Sequence, residues 1–386
     1  VRAMVTKLGR AALGLVLALV GYAGWFSLAA SFAAYPLPGA APASGMKQVR
    51  GAWHVHSTAS DGRGTAGQIA AAAREAGLGF VVFTDHNPTF LPPPRYEQGV
   101  LLLFGSELSY NVGHLAQLGA PVLPPAEPGD RPAQRVRDRG GMAILAHPVQ
   151  PKRPWTDWAE ASASASGLEL YSADSMFRDA QRSPVSLLVP AVGALLARPP
   201  HAFMAVALPQ EETQARLLEL ARLRPRAALC AHDAHGLPFY RDEFEALAMV
   251  LPAGMQLPAE AAAAARTVQQ VLEAGEAYCA FTALGGADGF ALEGLGPGRT
   301  VAPGGRVAVR LPGELPERVR LQVRGEARLL EDGRTVEATG PGAFTVEAWA
   351  EAPGLWGGRA WRPWLVPSPV RVVSEAGAGP SAGEGR

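Results

Sequence analysis

The segment AWHVHSTASDG, residues 52–62, sets two imidazoles, His54 and His56, one residue apart between apolar neighbours. A carboxylate, Asp61, follows in a glycine-containing turn. In an extended strand residues i and i+2 face the same side, so the spacing predicts both rings reaching one point. Imidazole nitrogens with a carboxylate close behind make a ligand set for Zn, Mn or Fe. The same residue types recur downstream. TDHN carries Asp85 and His86, VLLLFGSEL ends near Glu107, GHLAQLGA opens with His114, and GMAILAHP ends at His147. GLELYS carries Glu169, and AALCAHDAHG carries His232, Asp233 and His235. Of the eight histidines, only His201 lies outside these motifs.

The elements that must position them follow a repeating order. Between 49 and 285 short apolar runs alternate with helix-like segments, the pattern of parallel β/α units. Thr65 and Gln68 have the spacing of a capping box, which predicts an alanine-rich helix ending near Gly77, with a strand over 79–87 after it. Polar residues at the C-terminal ends of barrel strands are where such folds carry their chemistry. Histidine, aspartate and glutamate gathered there, with no thiolate among them, suit a multinuclear hydrolytic centre.

The motifs HVHSTASDG, TDHN, GSELS, GH, AHP and AHDAH, in that order, resemble the PHP superfamily, named for polymerases and histidinol phosphatases. The resemblance covers residues 49 to 285. It implies a distorted (β/α)7 barrel with two or three divalent ions (Zn, Mn or Fe) at the strand C-termini. Carried over by residue, it implies His54, His56, Glu107 and Asp233 around one ion. Glu107 would bridge to a second ion held by His114 and His147, and Asp61, His86 and His235 would hold a third. Glu107, Asp233 and His235 are the expected catalytic residues, in a hydrolase whose nucleophile is a hydroxide bridging the metals. His232 stands where the family commonly has a small residue, and is either a supporting group or a competitor among the ligands. Glu169 is read as a hydrogen-bonding residue of the barrel, and Asp85 as a carboxylate that orients His86 or its loop.

Phosphoesters are the substrates the resemblance implies. Lys152, Arg153 and Arg178 are the candidate cations for a phosphate clamp. A carbamate, amide or carboxylic ester is the alternative, and Trp155 and Trp158 would then wall an apolar pocket. From another class, the chain would be a non-catalytic metal-binding domain at a cell surface. The third idea, a polymerase-associated exonuclease, has no polymerase segment to support it.

Composition narrows the partners. With 35 basic and 35 acidic residues and a net charge of +0 over 386 residues, the chain lacks the basic surface that nucleic-acid binding rests on. Arg2, Lys7 and Arg10 precede an uncharged apolar stretch, residues 11 to 34, long enough to cross a bilayer as a helix. The basic flank favours a cytoplasmic N-terminus, so residues 1–34 read as a membrane anchor with an extracytoplasmic catalytic domain. A cleaved signal peptide and a secreted product is the alternative. Residues 35–48 read as a Pro/Ala/Gly linker. Cys230 and Cys279 belong to no CxxC pair and read first as two buried thiols, with a disulfide open to an extracytoplasmic domain.

From 286 the pattern changes to period-two alternation, in RVAVRL (306–311), RVRLQVR (318–324) and AFTVEAW (343–349). EDGR (331–334) is a hairpin signal, and 358–373 reads as a last strand. Residues 286–374 are therefore expected to form a small Ig-like β-sandwich, with 375–386 a disordered tail. Barrel followed by sandwich resembles the carbaryl-hydrolase-like branch of the PHP superfamily.

Overall fold

The computed structural model describes residues 2–32, 47–124, 127, 129–182, 207–237, 239–312, 317–353 and 359–374. His201, the 375–386 tail and all of the expected linker except 47–48 lie outside the described residues. The protein is a mixed α/β structure with a large central sheet. Its first strands are β1 (Arg50–Val55), β2 (Phe80–Phe83), β3 (Arg95–Glu97), β4 (Val100–Phe104) and β5 (Ser106–Tyr110). They continue with β6 (Gly113–Leu118), β7 (Met142–Ala146), β8 (Gly167–Ser172) and β9 (Ala227–Ala234). The helices are α1 (Arg2–Phe32), α2 (Ala66–Glu75), α3 (Pro132–Arg137), α4 (Trp158–Ser164), α5 (Ala173–Gln181), α6 (Glu211–Ala221), α7 (Tyr240–Ala246) and α8 (Ala261–Glu273).

Hydrogen bonding runs in a circuit. β1 lies parallel to β2 and β9, β9 to β8, and β8 to β7. β2 pairs in parallel with β4, and β6 lies antiparallel to β5 and β7. Just beyond β2, His86 bridges in parallel to Glu107 of β5, which returns the ladder to its start. The expected single strand over VLLLFGSEL is broken into β4 and β5 at Gly105. A Cβ there would stand 2.0 Å from the carbonyl oxygen of Gln117, so only glycine lets β6 approach.

The antiparallel β6 departs from strict β/α alternation and explains why His114 opens its segment. β6 runs opposite to its neighbours, so its first residues lie at the end of the sheet where the other strands finish.

Local signals behave as their chemistry requires. Thr65 and Gln68 complete the capping box of α2, and Gly77 follows with φ +73°. The core of the circuit is apolar and closed to solvent, with Trp53, Phe80, Leu103, Ile144, Leu168 and Leu229 no more than 1% exposed.

Two further strands, β10 (Ala248–Val250) and β11 (Tyr278–Ala280), extend the sheet antiparallel from β1. Cys230 of β9 and Cys279 of β11 form a disulfide, with Cα atoms 5.6 Å apart. The first reading, two separate buried thiols, is corrected: both sulfurs are buried, but the β10–β11 return brings them together.

The remaining strands are β12 (Ala291–Glu293), β13 (Thr300–Val301), β14 (Arg306–Arg310), β15 (Val319–Gly325), β16 (Ala327–Leu329) and β17 (Thr335–Ala338). They end with β18 (Gly342–Pro353), β19 (Arg359–Pro367) and β20 (Val370–Val372). β12, β14, β17 and β16 make a separate four-stranded sheet. β15, β19 and β20 pair with β18, and β19 pairs with β11, so these strands join the central sheet. Val307, Val309 and Val336 of the small sheet share an apolar cluster with Phe344, Val346 and Ala348 of β18. The β16–β17 hairpin turns at Asp332-Gly333. There Asp332 accepts from the Arg334 and Thr335 amides, and Gly333 has φ +67°. Where a single last strand was expected, Ser368 and Pro369 separate β19 from β20, because proline offers no amide to a ladder.

α1 is a helix whose span Lys7–Trp25 has a mean hydropathy of 1.5 and contains no buried residue. It is long and apolar enough to cross a bilayer.

Candidate metal centre

The sequence places His54 inside β1, where regular alternation would send it and His56 to one face. The backbone reaches that result another way. His54 has φ +65°, and the pairing of β1 with both neighbours shifts register between Ala52 or Trp53 and Val55. His147 (φ +31°) and Asp233 (φ +50°) share this left-handed geometry, uncommon for residues with a side chain. Such backbone strain is stored where the surrounding structure holds it for a purpose.

Four atoms converge at the bottom of the site. His54 Nε2 lies 3.0 Å from His56 Nε2, 3.2 Å from Glu107 Oε2 and 3.4 Å from Asp233 Oδ1. His56 Nε2 lies 3.3 Å from that Glu107 oxygen and 3.2 Å from that Asp233 oxygen. A tetrahedron with edges of this length has its centre about 2 Å from each corner, the bond length of zinc to nitrogen or oxygen. Two ring nitrogens at this distance share a proton or a cation, and the donor set of two imidazoles and two carboxylates fits a divalent ion.

Two more groups adjoin it. Glu107 turns its other oxygen, Oε1, to His114 Nδ1 at 2.7 Å and His147 Nε2 at 3.0 Å, so one carboxylate faces two ligand sets. Asp61 collects His56 Nδ1 at 3.4 Å, His235 Nε2 at 3.4 Å and His86 Nε2 at 3.7 Å. Eight of the nine residues expected as ligands fall into three groups able to hold metal, and His235 adjoins the third through Asp61. His56 faces the third group through its second nitrogen, a placement the sequence did not suggest.

Burial grades across the centre. The His54 and His56 side chains are fully enclosed, whereas that of Asp61 is 53% exposed and those of His86 and His235 are partly open. The centre is therefore open to solvent on the Asp61 side.

Electrostatics matches a site built for positive charge. Burial alone would make His54 neutral, but Glu169, Asp233 and Glu107 outweigh it and raise its pKa well above the usual imidazole value. His56 is likewise pushed up to about 9 by hydrogen bonds to Asp233 and Glu107, against its burial. Glu107 is held well below the carboxylate range: the histidines, His54 first, overcome its own burial.

The supporting residues are now identifiable. Glu169 is a hydrogen-bonding residue that fixes two ligands at once. Its Oε1 accepts from His54 Nδ1 at 2.6 Å and Trp53 Nε1 at 2.9 Å, and its Oε2 accepts from the His147 amide at 2.8 Å. Asp85 does not hold His86. It accepts from the Ser57 amide at 2.7 Å, Ser57 Oγ at 2.8 Å and Ser60 Oγ at 2.6 Å, pinning the loop that carries Asp61. His232 is no ligand: its nitrogens contact the Trp53 and Leu247 carbonyls, and burial pushes its pKa down to about 4.

The expected substrate residues fare unevenly. Arg178 lies on α5, which begins directly after β8, and pairs with Asp174. Asp174 has a raised pKa, from burial first and the nearby Asp233 carboxylate second, so this pair stands within electrostatic reach of the centre. Lys152 and Arg153 are exposed on the loop after β7, with no side-chain contact to the nine ligands. Trp155 is buried in the core and Trp158 lies beneath the Arg216 guanidinium, so neither is free to wall a pocket. Both are used for packing.

No protein-family model and no curated protein matches the chain. Among solved structures it is similar to a two-domain Bacteroides vulgatus protein containing a predicted PHP-like metal-dependent phosphoesterase. Identity is 13% and the TM-score 0.42, over 84% of this chain and 97% of that one. PsfC from Pseudomonas syringae is 14% identical with a TM-score of 0.37, over 59% of this chain and all of that one. A Bifidobacterium adolescentis protein, assigned by inference as a metal-dependent phosphoesterase, is 14% identical with a TM-score of 0.32, over 50% and 89%. Likeness at this level fixes neither family nor activity, and the functional reading rests on the geometry.

Proposed function

We propose that the protein is a metal-dependent phosphoesterase of the PHP type, with two or three divalent ions held by the nine ligands. The observation that carries this reading is the four-atom group of His54, His56, Glu107 and Asp233, joined through Glu107 to a second group. Counting β4 and β5 as one interrupted strand, the hydrogen-bonded circuit has seven members, which supports the (β/α)7 barrel. The strands of 286–374 support an Ig-like sandwich there, and α1 supports a membrane anchor, with Arg2, Lys7 and Arg10 before its apolar stretch favouring a catalytic domain outside the cytoplasm. The disulfide favours the same side, since such bonds persist in oxidising compartments.

When bound, divalent ions supply Lewis acidity and a water acidic enough to attack at neutral pH. The chain's own residues do the rest. Glu107 and Asp233 offset the positive charge gathered at the centre. His235 donates Nδ1–H to the Asp233 carbonyl at 2.7 Å, which turns Nε2 toward Asp61 and the open side as a ligand or proton carrier. Arg178, steadied by Asp174, is the best placed of the three candidate cations to meet a phosphoryl oxygen. The carbamate, amide or carboxylic-ester alternative keeps the resemblance that raised it, without the apolar wall that Trp155 and Trp158 would have added. The test is metal analysis of the purified full-length protein, followed by turnover assays on phosphomonoesters, phosphodiesters and carboxylic esters. Phosphoester hydrolysis abolished by chelation and restored by metal is expected; turnover of carboxylic esters alone would refute the reading.

A further inference from the structure

Among the described residues, the loops around the open side of the centre carry large exposed apolar side chains. Phe90, in the loop after His86, is 69% exposed, and Phe239, shortly after His235, is also 69% exposed. Leu237 is 56% exposed and Phe177, on α5 after β8, is 42% exposed. β8, β9, β1 and β2 are consecutive neighbours, so these loops form one arc beside Asp61, His86 and His235. Single exposed apolar residues need no explanation, but four of them on neighbouring loops at the rim of a site point to an interaction surface.

The same opening carries three exposed cations beside the exposed Asp61 carboxylate and the Asp174–Arg178 and Asp179–Arg182 pairs at α5. Arg63, in the loop between His56 and α2, and Lys152 and Arg153, after β7, are all exposed. None makes a side-chain ion pair with another described residue. Exposed apolar side chains interleaved with free cations match the interface of an anionic bilayer, where rings enter the headgroup layer and cations meet lipid phosphates.

The anchor permits this placement. β1 leads from Arg50 to the centre over about 20 Å at the usual rise per residue. Residues 33–46, between α1 and the fold, span at most about 50 Å whatever their conformation. A fold tethered to a membrane through its far end can therefore still bring this opening to the bilayer.

We propose that the open side of the metal centre docks on an anionic lipid surface through Phe90, Phe177, Leu237 and Phe239, with Arg63, Lys152 and Arg153 on lipid phosphates. This rests on the reading of α1 as an anchor, not on phosphoester hydrolysis.

The test uses the full-length chain with its native cysteines bonded to each other. One cysteine at a time carries an environment-sensitive fluorophore: Phe90→Cys and Phe239→Cys at the opening, Leu223→Cys just before β9 at the opposite end, and Val16→Cys in α1. Each protein is reconstituted into phosphatidylcholine vesicles with or without phosphatidylglycerol, and quenching by nitroxide-bearing lipid is measured. Quenching at 90 and 239 that rises at least about threefold with the anionic lipid, and stays absent at 223, is the expected result. Quenching at 16 without quenching at 90 and 239 overturns the docking surface and leaves the anchor standing. Absence of quenching at 16 overturns the anchor and the proposal with it. A response at 239 to protein density in neutral vesicles, indifferent to anionic lipid, makes the surface a contact between copies and also overturns it. Hydrolysis does not enter the readout, so a protein that docks but cleaves no phosphoester would refute the enzymatic reading alone.

Discussion

Glu169 Oε1 stands 2.6 Å from His54 Nδ1, and this one contact decides which nitrogen of His54 faces the centre. Hydrogen-bonded at Nδ1, the ring presents Nε2 to Glu107 and Asp233. Partners of this kind typically contribute 10- to 100-fold in metal affinity. Glu169→Gln removes the negative charge behind the ring and should weaken metal binding by about 10- to 100-fold, with the circular dichroism of the fold retained. Titration with a competing chelator measures it; unchanged affinity would mean that packing alone orients His54.

Glu107 faces two ligand groups with its two oxygens. Glu107→Gln keeps the size and removes the charge that holds cations close to one another. At least one ion should be lost, and turnover should fall by about 10²-fold or more, the scale of losing one strong electrostatic stabiliser. Metal content and kcat are measured on the same sample. Normal values of both would move the bridging role elsewhere.

Metal uptake should release protons. In the metal-free protein His54 is raised well above its usual pKa and His56 is pushed up to about 9, so both carry a proton at neutral pH that an ion must displace. Apparent affinity is therefore expected to climb as pH rises through the neutral range, by up to about tenfold per pH unit for each ring displaced, with the His56 contribution levelling off above about 9. Calorimetry in buffers of different ionisation enthalpy counts the protons. Affinity independent of pH across that range would contradict the assignment.

Glu347 sets a second pH dependence, away from the metals. It is buried in β18, where its carboxyl accepts from Gln214 of α6 and from Trp349 Nε1 at 2.8 Å, and burial pushes its pKa up to about 7. A carboxyl with a raised folded pKa binds more protons folded than unfolded, so stability falls as pH rises from the unfolded value toward about 7 and is level above it. The span corresponds to about 3 kcal/mol. Glu347→Gln should stabilise the protein at pH 8 and leave it little changed near pH 4.5. Thermal unfolding at the two pH values decides; an equal shift at both would show that charge is not the cause.

The Cys230–Cys279 bond closes a loop with a sequence separation of 49. Loop entropy predicts about 4 kcal/mol of stabilisation for such a closure. Cys230→Ala with Cys279→Ala should lower the urea midpoint accordingly, and reduction of the native chain should do the same. A midpoint that does not move under either treatment would mean that the bond is not formed.

Much of this centre was legible because ligand chemistry leaves few choices. Histidines and carboxylates spaced at the ends of apolar runs point to a metal whatever the details of the fold, and the α2 capping box is a purely local signal. What escaped was non-local. The positive φ of His54 depends on the bulged pairing of β1 with two neighbours, which no spacing encodes. Gly105 looks like any strand glycine until β6 crosses it. Asp85 lies next to His86 in sequence, yet its partners, Ser57 and Ser60, are reached only once β1 and β2 lie side by side. The disulfide depended on the return of β10 and β11, and the apolar arc on which loops become neighbours.

The pairing of β11 with β19 has a consequence for anyone who shortens this chain. β11 is only three residues long, and one flank of it is completed by a strand that arrives some eighty positions later. A chain stopped at 285 would leave that flank bare, a template for strand addition by another molecule. The same cut would uncover Tyr278, Cys279 and Ala280, all buried beside Leu365 and Val366 in the intact fold. The C-terminal strands thus act as a lid on an aggregation-prone margin, and the smallest well-behaved fragment bearing the metal centre extends at least to the end of β19.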